Sequence, residues 1–222
     1  MLGNELLFLA HIVAVSISVI WGLWYSHGAL LAVLGVQMVL ANLFVSKQIM
    51  LFGIETNCSE VFIVGGMYGI SLMRTYYSPH ACQRAIYTIF GALSVFVLLI
   101  QFNLAYGGVD AELGSQLLFL CGSSARLLIA SVCAYLVSEQ AHLFFCSLLD
   151  KNNDSAVWQV AAIIGGQFID SVVFGYIGLY GVVNHLVSVI LFSIVVKIIV
   201  ALALSPMIAL TRVLIPPKPW QK

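Results

Sequence analysis

Apolar residues along the chain gather into seven long runs, at about 5–25, 28–46, 60–77, 85–106, 116–147, 156–180 and 185–211. Most are close to the roughly 20 residues that a helix needs to cross a bilayer. The runs are continuous and do not alternate apolar with polar. Backbone groups in hydrocarbon must pair within their own segment, so helices fit and a barrel does not. The fifth run is too long for one perpendicular crossing. It either tilts or continues as a helix beyond the bilayer.

The breaks carry ordinary turn signals: Ser26-His27-Gly28, Ser78-Pro79-His80, Gly107-Gly108-Val109-Asp110, Lys151-Asn152-Asn153-Asp154 and Tyr180-Gly181. Between Gln48 and Ser59 the pattern is ambiguous. There Ile49-Met50-Leu51-Phe52-Gly53 reads either as an extension of the second helix or as an interfacial segment.

Composition sharpens this reading. Only 9 Lys+Arg and 9 Asp+Glu occur in 222 residues, and 62% of the chain is hydrophobic. A soluble domain of this length would carry about 55 charges. Its surface could not be covered with so few. Net charge is zero and no basic run exists, which excludes direct nucleic-acid binding. The expected fold is an all-α, polytopic bundle of about seven transmembrane helices in one domain spanning residues 1–222. It comprises an extra N-terminal helix (about 5–25), a six-helix core (about 28–211) and a short tail (212–222).

Cysteines 58, 82, 121, 133 and 146 are scattered, with no CxxC and no zinc-like spacing, so they read as small core residues. A cleaved leader is not expected. Residues 1–5 lack Lys and Arg, and the run from Leu6 to Tyr25 is long enough to span. Counting basic residues by side gives Lys47 alone against Arg74, Arg84, Lys151, Arg212, Lys218 and Lys222. That asymmetry predicts an outer N-terminus and a cytoplasmic C-terminus.

Four charges remain inside the runs: Arg126, Glu139, Asp170 and Lys197. Each costs about 2.5–3.5 kcal/mol at mid-membrane, so together about 10–14 kcal/mol if unpaired. They must pair, line a wet cavity, or both. The topology places Arg126, Asp170 and Lys197 at one level, with Glu139 deeper. Two readings stand: an ion-pair network that ties three helices together, or a polar site in the outer half. Helical spacing favours a lined site. Gln167, Asp170, Ser171 and Phe174 fall at i, i+3, i+4 and i+7. In the fifth run, Ser124, Ser131, Tyr135, Ser138 and His142 share a line, although small residues also serve helix packing. Asn42, Gln101 and Asn103 are further candidates.

Several segments together resemble the queuosine precursor transporters, also called the vitamin uptake transporter family. That family is related in fold to the substrate-binding subunits of energy-coupling-factor transporters. The resemblance covers about Leu30 to Pro206. It rests on Ala41-Asn42-Leu43-Phe44-Val45-Ser46-Lys47 followed by Leu51-Phe52-Gly53; on Arg126 followed by Ala130-Ser131-Val132-Cys133-Ala134-Tyr135-Leu136; on Gly166-Gln167-Phe168-Ile169-Asp170-Ser171-Val172-Val173-Phe174; and on Lys197 and Pro206. Two departures stand out. The family's TDxxxExYG acids are missing from Ile70–Ser78, and His142 stands where an Asp is usual.

The resemblance implies a multi-pass protein of a bacterial cytoplasmic membrane, importing a 7-deazaguanine base (preQ0, preQ1 or queuine) for tRNA modification. Its substrate is a small planar nucleobase-like molecule, its other partner is the lipid bilayer, and homo-oligomerisation is left open. Implied substrate-binding residues are Asp170, Gln167, Arg126, Lys197, Phe174, Tyr135, Asn42, Ser131 and Glu139. Asp170 would accept from the guanine-like N–H edge and Gln167 would satisfy the carbonyl. Phe174 or Tyr135 would stack on the ring. Arg126 and Lys197 would keep Asp170 ionised.

Other classes fit less well. No GxxxxGK(S/T) is present, so the chain carries no ATP-driven chemistry of its own. An energy-coupling-factor type substrate-binding subunit is the alternative, with Gly28-xxx-Ala32 as a face for a partner helix. Neither Cys121-Gly122-Ser123-Ser124 nor Gly69-Ile70-Ser71 gives a serine-nucleophile context. The histidines sit mostly at helix ends, against a haem site. No enzyme activity, cofactor or metal is expected, and the Gln167/Asp170 face argues against a purely structural scaffold.

Overall fold

A computed structural model describes residues 2–45, 47–51, 53–106, 125–149 and 155–215. Seven α-helices and one hairpin occur among them: α1 Leu2–Tyr25, α2 His27–Leu43, β1 Gln48–Leu51, β2 Ile54–Asn57, α3 Glu60–Tyr76, α4 Pro79–Ala105, α5 Ala125–Leu149, α6 Ala156–Phe174 and α7 Leu186–Leu214. Helix α6 continues through a single π turn, Gly175–Leu179. Five helices (α1, α4, α5, α6 with its π turn, and α7) are long and apolar enough to cross a bilayer, and α2 is a shorter apolar helix. The chain is thus a helical, multi-pass membrane protein. Residues 116–124 of the fifth run, the expected turns at 107–110 and 151–154, and most of the 212–222 tail lie outside the described residues.

Local chemistry sets the helix starts. Ser26 accepts a hydrogen bond from the Ala29 amide at 3.1 Å, capping α2. Ser78 does the same for the Ala81 amide at 3.2 Å, with Pro79 as the first residue of α4, where its missing N–H matters least.

The segment after α2 departs from expectation. It does not extend the helix but folds into a hairpin. Gln48–Leu51 pairs antiparallel with Ile54–Asn57, in register from Gln48 opposite Asn57 to Leu51 opposite Ile54. Gly53, at φ 79°, takes the left-handed conformation that closes the turn. Asn4 of α1 donates to the Met50 carbonyl at 3.1 Å, pinning the hairpin to one end of the bundle.

Helix α3 is the central post, buried along almost its whole length. Its glycines form the seat for α1 and α2: Gly65 meets Val15, Gly66 meets Met38 and Gly69 meets Leu34, so closely that a Cβ would collide with each side chain. On the other side, α5 and α6 pack tightly because a Cβ on Gly166 would stand 2.9 Å from His142 Cβ and one on Gly165 would stand 2.7 Å from the Phe145 ring. The hairpin end of the bundle therefore collects the starts of α3, α5 and α7 and the ends of α2 and α6.

Candidate functional site

Between these helix termini, in the hairpin-side half, lies a cavity of about 60 Å³ available to the centres of water molecules. At about 10–15 Å³ per water centre, that is room for a small cluster of waters. Most of its wall is apolar, including Met38, Ile63, Met67, Leu93, Phe174 and Ile190. Against this wall stand four charged residues among the described ones: Glu60, Glu139, Asp170 and Lys197.

Lys197 is the hub. Its Nζ donates to Asp170 Oδ2 at 2.5 Å and lies 3.5 Å from Glu60 Oε2. All three residues are buried. Asp170 Oδ1 also receives the Ser138 hydroxyl at 3.4 Å, and Glu60 Oε1 receives the Ser193 hydroxyl at 2.9 Å. Ser193 in turn contacts Ser171 Oγ at 3.3 Å. A buried charge is stable only when paired and hydrogen-bonded, and this cluster supplies both.

Glu139 belongs to a second chain. Its Oε2 meets His142 Nδ1 at 3.2 Å, and His142 Nε2 meets Ser71 Oγ at 2.9 Å. Although the order Ser–His–Glu resembles a hydrolytic triad, Ser71 and His142 are buried and neither faces the cavity. The chain joins α5 to α3.

Besides Glu60 Oε2, which has only the Lys197 ion pair, two polar atoms at the cavity wall have no hydrogen-bond partner among the described residues. They are the Tyr135 hydroxyl and Asn42 Oδ1, both in buried side chains. The Asn42 amide donates to the Met38 carbonyl at 3.0 Å, which fixes its orientation. Unsatisfied polar groups in a buried wall are costly unless a water or ligand meets them.

Beside this cavity lies a vestibule of about 480 Å³, bounded by the hairpin and the start of α7. Gln48, Thr56, Asn57, His185 and Ser188 give it polar walls. Asn57, Glu60, Val189 and Ser193 border both spaces. The Ser193–Glu60 hydrogen bond therefore spans the partition between them.

The sequence-derived candidates sort as follows. Asp170, Lys197, Phe174, Tyr135, Asn42, Ser131 and Glu139 line the cavity, as do Ser138 and Ser171. Arg126 does not converge on them. Its side chain is exposed and donates to the Ile177 and Tyr180 carbonyls, each at 2.7 Å. The π turn frees carbonyls at the end of α6, and a guanidinium at a helix C-terminus satisfies them. Gln167 does not reach the cavity wall either. It is buried one turn below Asp170, and its side-chain amide has no partner among the described residues. Gln101 and Asn103 lie outside the cavity, and Ser124 outside the described residues.

Glu60 was not anticipated. It follows a polar stretch and stands at the first residue of an apolar run, so the sequence reads it as a helix entrance. The hairpin folds back over that entrance and encloses it. The available signal was positional: an acid at the first residue of a span that must face three other helix ends.

Residues 61–211 match the model of the family described as "Putative vitamin uptake transporter". The match takes in α3 to α6 and most of α7, with Asp170, Lys197, Glu139 and Tyr135. The chain belongs to this vitamin uptake transporter family. No curated protein and no solved structure matches it.

Proposed function

We propose that the protein imports a 7-deazaguanine base (preQ0, preQ1 or queuine) across the cytoplasmic membrane of a bacterium, for use in tRNA modification. The observation that carries this reading is the cavity itself. An apolar, aromatic-edged space holds a carboxylate–ammonium–carboxylate cluster together with the unpaired Tyr135 hydroxyl and Asn42 oxygen. A flat guanine-like molecule presents N–H donors, a carbonyl and two apolar faces, and each has a counterpart there.

In this reading the N–H edge binds Asp170. Lys197 and the second N–H of Asn42 donate to the ring carbonyl, taking the part first given to Gln167. Phe174 and Tyr135 hold the ring faces. The basic-residue asymmetry supports a hairpin end that faces outside, which makes the vestibule the entrance in this reading. The cavity holds only a few waters when closed. Parting of the Glu60–Ser193 partition joins it to the vestibule and makes room for the bicyclic ring.

The test is complementation in a bacterium that lacks queuosine synthesis and its own importer and is supplied with the enzyme that uses the salvaged base. Feeding each base at low concentration and measuring queuosine in tRNA should give modification with the protein and none without it. Asp170→Asn should abolish it at unchanged membrane expression. Normal modification with Asp170→Asn would remove Asp170 from the site, and no modification with any base would end the reading.

A further inference from the structure

The charges around Lys197 do not balance. Among the described residues four charged side chains face the cavity, and Glu139 has His142 as its partner. That leaves one ammonium, Lys197, between two carboxylates, Asp170 and Glu60. Arg126 would have supplied the second positive charge, but it is committed to the carbonyls of the π turn. The two carboxylates are not equivalent. Asp170 holds Lys197 at 2.5 Å, whereas Glu60 stands 3.5 Å away and its Oε2, although buried, accepts no hydrogen bond among the described residues. A buried carboxylate with half a partner needs a further positive charge, supplied by a proton or by a cationic ligand.

Glu60 also occupies the place where such a ligand would first meet it, on the partition shared by vestibule and cavity. Nearby, the Tyr135 hydroxyl and Asn42 Oδ1 can both accept from an ammonium, and neither has another partner among the described residues.

We propose that Glu60 makes this site select ligands in which a planar base carries a protonated amine. Resting on the importer reading above, this means 7-deazaguanines with an aminomethyl group are taken and the neutral nitrile-bearing base is discriminated against. A charged hydrogen bond from the ligand amine to Glu60 replaces the missing cation. A nitrile has neither charge nor donor and leaves the carboxylate unsatisfied, the situation in which a polar site rejects an analogue most strongly.

The experiment is uptake of labelled preQ1 by cells carrying the protein, in competition with unlabelled preQ1, queuine or preQ0. The two amine-bearing bases should compete at least about tenfold more strongly than the nitrile, the ratio expected for one charged hydrogen bond. Glu60→Gln keeps the shape and removes the charge. It should lower preQ1 uptake about tenfold and shrink the preference for preQ1 over preQ0 by a similar factor. Equal competition by all three bases would overturn charge selection and leave the importer reading standing. So would an unchanged preference in Glu60→Gln, which would mean that the carboxyl acts only as a neutral group. Uptake of none of the three would remove the importer reading, and this inference with it. The competition arm needs no variant, so a folding defect in Glu60→Gln cannot shelter the proposal.

Discussion

Lys197 Nζ lies 2.5 Å from Asp170 Oδ2 and 3.5 Å from Glu60 Oε2, so one ammonium ties α6 and α3 to α7. The same contact that holds three helices together faces the cavity. Of the expected network of Arg126, Asp170 and Lys197, the Asp170–Lys197 pair is present and Glu60 of α3 stands where Arg126 was expected, so the ion-pair cluster and the cavity lining coincide. This overlap decides how variants there must be designed. Removing one member of a buried cluster leaves the others uncompensated, whereas removing all of them does not.

Lys197→Met should accordingly destabilise the protein by about 3–5 kcal/mol, because two buried carboxylates lose their cation. Lys197→Met combined with Asp170→Asn and Glu60→Gln should recover most of that loss. Thermal unfolding of the purified protein in detergent checks both. A triple variant no more stable than the single one would contradict the ion-pair account.

Tyr135→Phe should separate binding from folding. The hydroxyl has no partner among the described residues, so its loss leaves nothing newly unsatisfied. The melting temperature should stay the same or rise slightly while base uptake falls. A marked loss of stability would mean that the hydroxyl has a structural partner, and unchanged uptake would remove it from the ligand's surroundings.

Ser71→Ala should act in the opposite sense. Its hydroxyl is the α3 partner of His142 Nε2, at 2.9 Å, and both side chains are buried. Leaving the ring nitrogen unpaired should cost about 1–3 kcal/mol, read as a lower melting temperature. Unchanged stability would show that the α3–α5 link carries no weight.

The turn between α1 and α2 gives a packing test with its own control. A Cβ on Gly22 would stand 2.9 Å from the Leu30 Cα, a backbone atom that cannot swing aside. Gly22→Val should cost about 1–3 kcal/mol. Gly35, on α2, has no heavy atom within 4 Å of an added Cβ. Gly35→Ala should be neutral or stabilise by up to about 1 kcal/mol, since a mid-helix glycine gives up more conformational freedom than alanine. Equal effects of the two variants would contradict the close α1–α2 approach.

The helices were legible because each is an apolar run bounded by turn residues, and hydrophobicity is the term that places them. The hairpin was not. Ile49-Met50-Leu51 is as apolar as a helix end, and pairing with Ile54–Asn57 depends on a left-handed turn at Gly53 that hydropathy does not report. Within the site, Asp170, Ser171 and Phe174 follow from the 3.6-residue period. Gln167 shares their face, yet the cavity ends before reaching its level. Periodicity fixes direction around a helix and is silent about how far a cavity extends along it. Arg126 shows the same limit. Run boundaries predict its depth, whereas its partners are carbonyls exposed by a π turn that no residue pattern announces. Glu60 was hidden by a boundary: a run that starts there reads as an entrance, and only the folded hairpin turns it into a wall.

The central claim, that this chain by itself moves a 7-deazaguanine base, is tested most directly by reconstituting the purified protein alone in liposomes and measuring uptake of labelled preQ1. Time-dependent accumulation that is absent from protein-free liposomes and from Asp170→Asn liposomes is the predicted result. Saturable binding without transport would contradict it in favour of a substrate-binding subunit that needs a separate energising module. The absence of both binding and transport would contradict the assignment of the base.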